Sequence, residues 1–216
     1  VAFLGTRGVP ARYGGFETAI EEIGRRIADR GHQVVVYCRQ PGGPSEYRGM
    51  RRVYLPSIKT NALETLSHAL LSALHVVRRP PDAVVLFNAA NLPVAPILWL
   101  RRVPFSIHVD GLESRRSKWG WFGRWYYRRM ESLSARTRRP LIADAQAIAS
   151  YYLEHFRAPS VVIAYGAPII ERLGDDRLDD FDLAPGQYHL VVARLEPENN
   201  LSLIHISSPR DIGESR

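Results

Sequence analysis

Two arginines, a tyrosine, a glutamate and a late glycine pair share one short stretch, GTRGVPARYGGFET at 5–18. Together they suit a ligand rich in hydroxyls with phosphate nearby. Glycine lets backbone amides approach a ligand, and a helix starting just after Gly14 and Gly15 would offer its N-terminus to an anion. The stretch has neither the G-x-G-x-x-G spacing of a dinucleotide fold nor the G-K-[ST] ending of a P-loop. Glu17, just inside the helix, disfavours a polyphosphate packed directly on that end. A purely structural connection is the competing reading of the same residues.

A second chemical cluster is RRSKWGWFGRWYYRRM at 115–130, which interleaves arginines with Trp119, Trp121, Phe122, Trp125, Tyr126 and Tyr127. Aromatic rings beside cations suit an anionic membrane interface, and they also suit stacked single-stranded nucleic acid. The plain alternative is an amphipathic helix whose aromatics are core and whose arginines are solvated.

The elements that must position these residues alternate short apolar runs with helical patterns, which points to an α/β chain with a doubly wound parallel sheet. Strands are expected at 1–5, 33–38, 51–56, 82–88, 104–110, 140–145 and 160–166. Phe16, Ile20, Ile23 and Ile27 fall on one helical face, with Glu17, Glu21 and Glu22 early and Arg25, Arg26 and Arg30 late, as the helix dipole favours. Leu63, Leu66, Leu70, Leu74 and Val77 form a second stripe over 61–77. PVAPILWLRR at 93–102 reads as a short helix, QAIASYYLEHF at 146–156 as another, and PGGPSEYRGM at 41–50 as loop. The opening loop then leaves the carboxyl end of the first strand, the edge where ligands bind in such sheets.

Composition narrows the classes. At 216 residues, 45% hydrophobic and 24% charged, the chain reads as a globular protein of one large domain or a little more. No run reaches the roughly 18–20 apolar residues of a membrane span. Val1 opens directly into a strand, so no signal peptide is expected, and the absence of an initial Met reads as a trimmed start. Cys38 is the one cysteine, which rules out an internal disulfide and fits a reducing cytoplasm. His, Cys and carboxylates show no metal-ligand spacing. The net charge of +7 comes almost wholly from arginine, since Lys59 and Lys118 are the only lysines. Such a balance fits nucleic acid, anionic lipid or a phosphorylated small molecule, and place along the chain must decide.

FLGTRGVPARYGGFETAIEEIGRRIADRGHQVVVYCR at 3–39 resembles the N-terminal domain of glycosyltransferase family 4, the retaining GT-B enzymes, and within it the bacterial rhamnosyltransferase-like branch. HVDGLESRRSKWG at 108–120, IADAQAIASYYLEHF at 142–156, IAYGAP at 163–168 and VARLEPENN at 192–200 extend the resemblance over about 1–200. The resemblance implies two Rossmann-like domains across a cleft, the N-terminal one chiefly for the acceptor and the C-terminal one for a nucleotide-sugar donor. On that basis 1–170 is the acceptor-side domain, 171–187 an acidic linker and 188–200 the first strand of a truncated donor-binding domain. Residues 201–216 read as a non-native tail, because LSLIHIS resembles the translated end of a sequencing adapter.

The resemblance also implies roles. Gly14 and Gly15 fall where loop amides approach donor phosphates and the transferred sugar. Arg7, Arg12, Tyr13 and Glu17 become acceptor contacts, joined by Arg115 and Arg116. Asp110 is expected to orient sugar hydroxyls or to stabilise positive charge at the anomeric carbon, with Glu113 the second acidic candidate. Capping of the next segment is the structural alternative for Asp110. His108 is expected to be a strand residue rather than a base. Arg194 matches the arginine directed at the donor diphosphate, and Asn199 stands where many relatives carry a lysine. No metal or other cofactor is expected, because cations and helix ends stabilise the leaving diphosphate. The implied partners are a nucleotide-sugar and a lipid-linked or saccharide acceptor, with peripheral contact to an anionic membrane and no nucleic acid. The expected place is the cytoplasm, at the inner face of the plasma membrane. Without the acidic donor motif of the second domain, the chain as written is not expected to catalyse transfer. A non-enzymatic acceptor- or membrane-binding Rossmann domain is the alternative.

Overall fold

The computed structural model describes residues 1–12, 14–60, 63–109, 114, 119–167, 169 and 178–192. Strand β1 (Ala2–Leu4) leads into helix α1 (Gly15–Asp29) and β2 (Val34–Cys38). A hairpin of β3 (Glu46–Tyr47) and β4 (Met50–Tyr54) follows, then α2 (Leu63–Val76) and β5 (Val84–Phe87). A 3-10 helix (Ala89–Val94) runs into α3 (Ala95–Leu100), and the chain continues through β6 (Phe105–Val109), α4 (Trp121–Arg136), β7 (Leu141–Ala143), α5 (Gln146–Phe156) and β8 (Ser160–Val162).

The eight strands form one sheet in the order β3-β4-β2-β1-β5-β6-β7-β8. All neighbours are parallel except β3, which runs antiparallel to β4 with Tyr47 opposite Met50. The segment 41–50, expected as loop, therefore supplies an edge strand, because the tight turn at Arg48 and Gly49 returns Glu46 and Tyr47 onto β4. From β1 the chain moves outward to β2 on one side and later returns to β5 on the other. That places the topological switch point at the carboxyl end of β1, where ligands bind in open α/β sheets.

Alternating strand residues feed two cores, one on each face of the sheet. Phe3, Val34, Val36, Met50 and Phe87 pack with Ile20 of α1, and Phe16, Ile23 and Ile27 join them as the periodicity expects. Leu4, Leu86, Ile107 and Val109 pack on the other face with Ala69, Ala73 and Val76 of α2, Leu98 of α3, and Ala149 and Tyr152 of α5. The leucine stripe of α2 does not follow the same rule. Leu63, Leu70 and Leu74 are exposed, and the buried face is His68, Ala69, Ser72, Ala73 and Val76. Small side chains let α2 lie close against the 3-10 helix, α3 and β1, and that close fit excludes the leucines.

The chain divides into two compact units. The first, Val1–Arg115 with Trp121–Gly166, carries the whole sheet. In the second, Arg116–Gly120 with Ala167–Arg216, the described residues include one 3-10 turn at Asp179–Phe181. Tyr188–Val192, expected to open a strand, have no strand pairing among the described residues, and Val192 is 86% exposed. A strand is held by ladder partners, and no described strand pairs with this segment. Residues 193–200 and the expected tail at 201–216 lie outside the described residues.

Candidate functional site

The loop between β1 and α1 is held from below by two carboxylates one helical turn apart. Glu17 accepts the Arg7 main-chain N–H at 3.2 Å, and Glu21 accepts the Ala11 N–H at 2.7 Å. Thr6 adds a third clamp, its hydroxyl oxygen accepting the Gly8 N–H at 3.2 Å. Glu21 also receives the Tyr47 hydroxyl at 2.9 Å and pairs with Arg48 at 3.0 Å, so the β3–β4 hairpin is tied to the same helix. Gly5 and Gly8 are obligatory. Both have positive φ, and a Cβ would come within 2.4 Å of the Phe87 carbonyl oxygen at Gly5 or the Cys38 sulfur at Gly8.

A cavity of about 690 Å³ opens between this loop and the loop that follows β2. Gly8, Val9, Pro10 and Cys38 line it from one side and Pro41–Pro44 from the other, and Arg7, Arg12, Glu17 and Arg52 supply its charge. Arg7 and Arg12 are exposed, as a ligand contact needs. Glu17 lines the cavity but is only 7% exposed, and its carboxylate carries the loop. Behind it lies Arg39, its side chain 7% exposed and 4.0 Å from Glu64. Burial holds the Arg39 guanidinium below its ordinary pKa; Glu64 opposes that, Arg7 adds to it, and Glu17 opposes it.

On the other side of β1, Gly14 is the N-cap of α1 in extended geometry and Gly15 opens the helix. A Cβ at Gly15 would sit in ordinary van der Waals contact with the Tyr165 ring, at 3.4 Å, so that ring lies beside the start of α1. Tyr165 stacks on His108 at 5.8 Å, and its hydroxyl is 3.3 Å from His108 Nε2. The far face of His108 stacks on Phe87 at 4.7 Å. Burial lowers the His108 pKa, opposed by the nearby Asp144 carboxylate, so the ring is a neutral spacer at pH 7. As expected, His108 is a strand residue, and it carries Tyr165 to the mouth of the glycine pair.

The aromatic-basic segment divides by face. Trp121, Phe122 and Trp125 of α4 are 77%, 61% and 49% exposed, with Phe122 stacked on Trp125 at 5.8 Å and Arg129 over Trp125 at 5.7 Å. Tyr126 turns inward and donates to the Ala90 carbonyl at 2.7 Å, and burial pushes its pKa up to about 12. The exposed rings and the inward-turned Tyr126 thus lie on different faces of α4.

Of the residues expected at the site, the structure brings Arg7, Arg12 and Glu17 to one cavity and sets Gly14 and Gly15 at the start of α1. Tyr13, Asp110, Glu113, Arg115, Arg116, Arg194 and Asn199 lie outside the described residues. Arg52, Gln40, Tyr47, Glu21 and Tyr165 escaped the sequence reading. Glu21 left a signal in its spacing of four from Glu17, and Tyr165 in its place within IAYGAP at 163–168. Among the described residues no group of His, Cys, Asp and Glu could hold a metal ion, and no helix is long and apolar enough to cross a membrane.

No curated protein matches the chain. Solved structures do, at low identity. WaaG, a glycosyltransferase involved in lipopolysaccharide biosynthesis, is 18% identical over 73% of this chain and 42% of that one, with a TM-score of 0.51. A glycosyltransferase from Rickettsia africae is 17% identical over 96% of this chain and 50% of that one, at 0.50. UGT89C1 of Arabidopsis thaliana, complexed with UDP-L-rhamnose, is 12% identical over 85% of this chain and 56% of that one, at 0.52. The chain spans about half the length of these structures, and its fold is that of GT-B glycosyltransferase N-terminal domains. The model of glycosyltransferase family 4 matches residues 13–168, from the glycine pair to the end of the sheet-bearing unit, and the chain belongs to that family.

Proposed function

We propose that this chain is the acceptor-side part of a retaining glycosyltransferase that moves a sugar from a nucleotide-sugar to a lipid-linked or saccharide acceptor in cell-surface polysaccharide assembly. The observation that carries the reading is the β1–α1 loop. It sits at the switch point of the sheet, clamped by Glu17 and Glu21, with a ligand-sized cavity on one side and the open glycine pair on the other. Rhamnose is the proposed sugar on the motif resemblance, and the structure in complex with UDP-L-rhamnose is compatible with it.

In this reading Gly14 and Gly15 receive the donor phosphates, and Arg194 with Asn199 face the diphosphate from the donor side. Asp110, with Glu113, orients the transferred sugar or stabilises charge at its anomeric carbon. Arg7, Arg12, Tyr13, Arg115 and Arg116 contact the acceptor, and no metal takes part. The exposed Trp121, Phe122 and Trp125 with their neighbouring arginines rest on the anionic inner face of the plasma membrane, where a lipid-linked acceptor lies.

The test is transfer of labelled sugar from dTDP-rhamnose and from UDP-glucose to membrane lipid extract, by this chain and by the full-length protein that carries it. The full-length protein is expected to transfer and this chain alone is not. Asp110→Asn is expected to lower transfer on the order of a hundredfold. Undiminished turnover by that variant would remove Asp110 from its role, and no turnover by any form would remove the enzyme reading. The exposed aromatic patch favours a second reading, a membrane-binding domain without catalysis. Co-sedimentation with phosphatidylglycerol vesicles, lost in Trp121→Ala/Phe122→Ala, together with absent transfer, would select it.

A further inference from the structure

A groove of about 340 Å³ runs between the 3-10 helix with α3 and the C-terminal half of α4. Leu92 and Ala95 are its buried floor, Pro96 and Trp99 one side, and Met130 and Leu133 the other. Trp99 and Leu133 are exposed although they line it. Arg136 and Thr137 line the groove as well, and Arg139 stands beside it, its guanidinium 5.8 Å over the Trp99 ring and 4.9 Å over Phe105.

These walls suit a thin, apolar occupant with an anionic end. Pro93 and Pro96 bring no main-chain N–H to the lining, so a peptide strand laid here would leave its own backbone groups poorly paired. A helix is too thick, because one turn about 10 Å across fills roughly 400 Å³, more than the groove holds. A hydrocarbon chain asks for no hydrogen bonds and is narrow enough to enter. The rest of α4 points to a bilayer as its source. Phe122, Trp125, Arg129, Leu133 and Arg136 recur at steps of three and four, so they share one side of the helix. Exposed rings thus lead down α4 to the groove, with arginines among them, as in a helix that lies at a lipid interface. Arginine stems cover apolar surface there while the guanidinium groups reach phosphates.

The groove is also apart from the transfer site. Helix α4 joins the parallel neighbours β6 and β7, so it runs back against them, and its C-terminal half lies toward the amino ends of the strands. The glycine pair and the switch point are at the carboxyl ends. We infer that the groove takes one acyl chain of an anionic phospholipid, whose phosphate meets Arg136 and Arg139 at the rim. The lipid is an anchor to the bilayer rather than a substrate, and the inference does not need the transferase reading. The chain covers Trp99 and Leu133, and the two arginines give preference for an anionic over a zwitterionic head group.

The experiment is a titration of the isotope-labelled chain, followed by amide NMR, with dihexanoylphosphatidylglycerol and, separately, dihexanoylphosphatidylcholine, both below their micelle concentrations. The anionic lipid is expected to shift the amides of Leu92, Trp99 and residues 130–137 saturably. Leu133→Asp, at an exposed position, is expected to weaken that binding at least tenfold. Arg136→Gln/Arg139→Gln is expected to weaken the anionic lipid about tenfold and to bring it level with the zwitterionic one. Trp121→Ala/Phe122→Ala is expected to leave the groove shifts in place. Absence of saturable binding would overturn the inference, as would phosphatidylcholine binding as tightly as phosphatidylglycerol to the parent chain. Shifts confined to residues 121–125, or lost in Trp121→Ala/Phe122→Ala, would assign the lipid to the aromatic rings and overturn it too. A doubled mass in solution with the groove amides unresponsive to lipid would mean that a second copy covers the groove. Sugar transfer without groove binding sinks this inference and spares the transferase reading, and groove binding without transfer does the reverse.

Discussion

Helices α1 and α2 cover opposite faces of the same sheet and bury different kinds of side chain. α1 inserts Ile20 fully and backs it with Phe16, Ile23 and Ile27 against β2 and β4. α2 turns Ala69, Ser72, Ala73 and the fully buried His68 inward and leaves Leu63, Leu70 and Leu74 in solvent. The difference follows from what each helix packs against. α1 lies over β2 and β4, where the gap suits long branched side chains. α2 is wedged among the 3-10 helix, α3 and β1, where only small residues let the backbones approach. An apolar stripe therefore marks a helix as amphipathic without saying which neighbours will accept it.

The comparison can be broken most forcefully at Ile20. Ile20→Ala removes a side chain with no exposed surface and is expected to cost about 2–5 kcal/mol, read as a lower urea midpoint. A cost no larger than that of a surface substitution would mean that α1 is not the better-packed helix.

A sharper probe uses the polar residue that α2 buries. Burial lowers the His68 pKa to about 4, and the Arg39 charge adds to the effect while the nearby Cys38 backbone opposes it. The unfolded chain then binds the proton more readily than the folded one. Stability is full above the ordinary histidine pKa near 6.5 and falls as pH drops toward about 4, by roughly 3 kcal/mol if the whole shift is realised. Burial lowers His108 too, so it contributes in the same direction. Urea unfolding between pH 7 and pH 4 is expected to show a clearly shallower loss in His68→Gln than in the parent. Parallel curves would place His68 in water rather than in the core.

The smallest effect belongs to the exposed stripe. Leu70→Ser and Leu74→Ser are each expected to change stability within about 0.5 kcal/mol, as surface substitutions do. A loss of several kcal/mol from either would show that the stripe is covered in solution.

The opening loop and the His108 stack show where legibility stopped at the site. The glycine pair, Arg7 and Arg12 stood out because their types and spacing lie in one stretch of sequence. Glu17 stood out too, although as a ligand contact rather than as the residue that holds the loop. Arg52 reaches the same cavity from a strand whose sequence reads as ordinary sheet, and nothing local distinguishes it from the many other arginines. Tyr165 falls within the IAYGAP motif, but nothing local singled it out, because its partners, His108 and Gly15, are far away in the chain.

Local periodicity was enough for the alternation of strands and helices, the parallel sheet and the apolar face of α1. Those properties follow from side-chain spacing within a few residues, which any neighbour of the right polarity satisfies. The family motifs were equally local. Tertiary structure alone decided the central place of β1, the return of Glu46 and Tyr47 as an edge strand, the inward face of α2 and the gathering of Arg7, Arg12 and Arg52 around one cavity. Each of these depends on which distant backbone comes near and how close it can come, and that is set by the volumes packed between them rather than by the pattern along the chain.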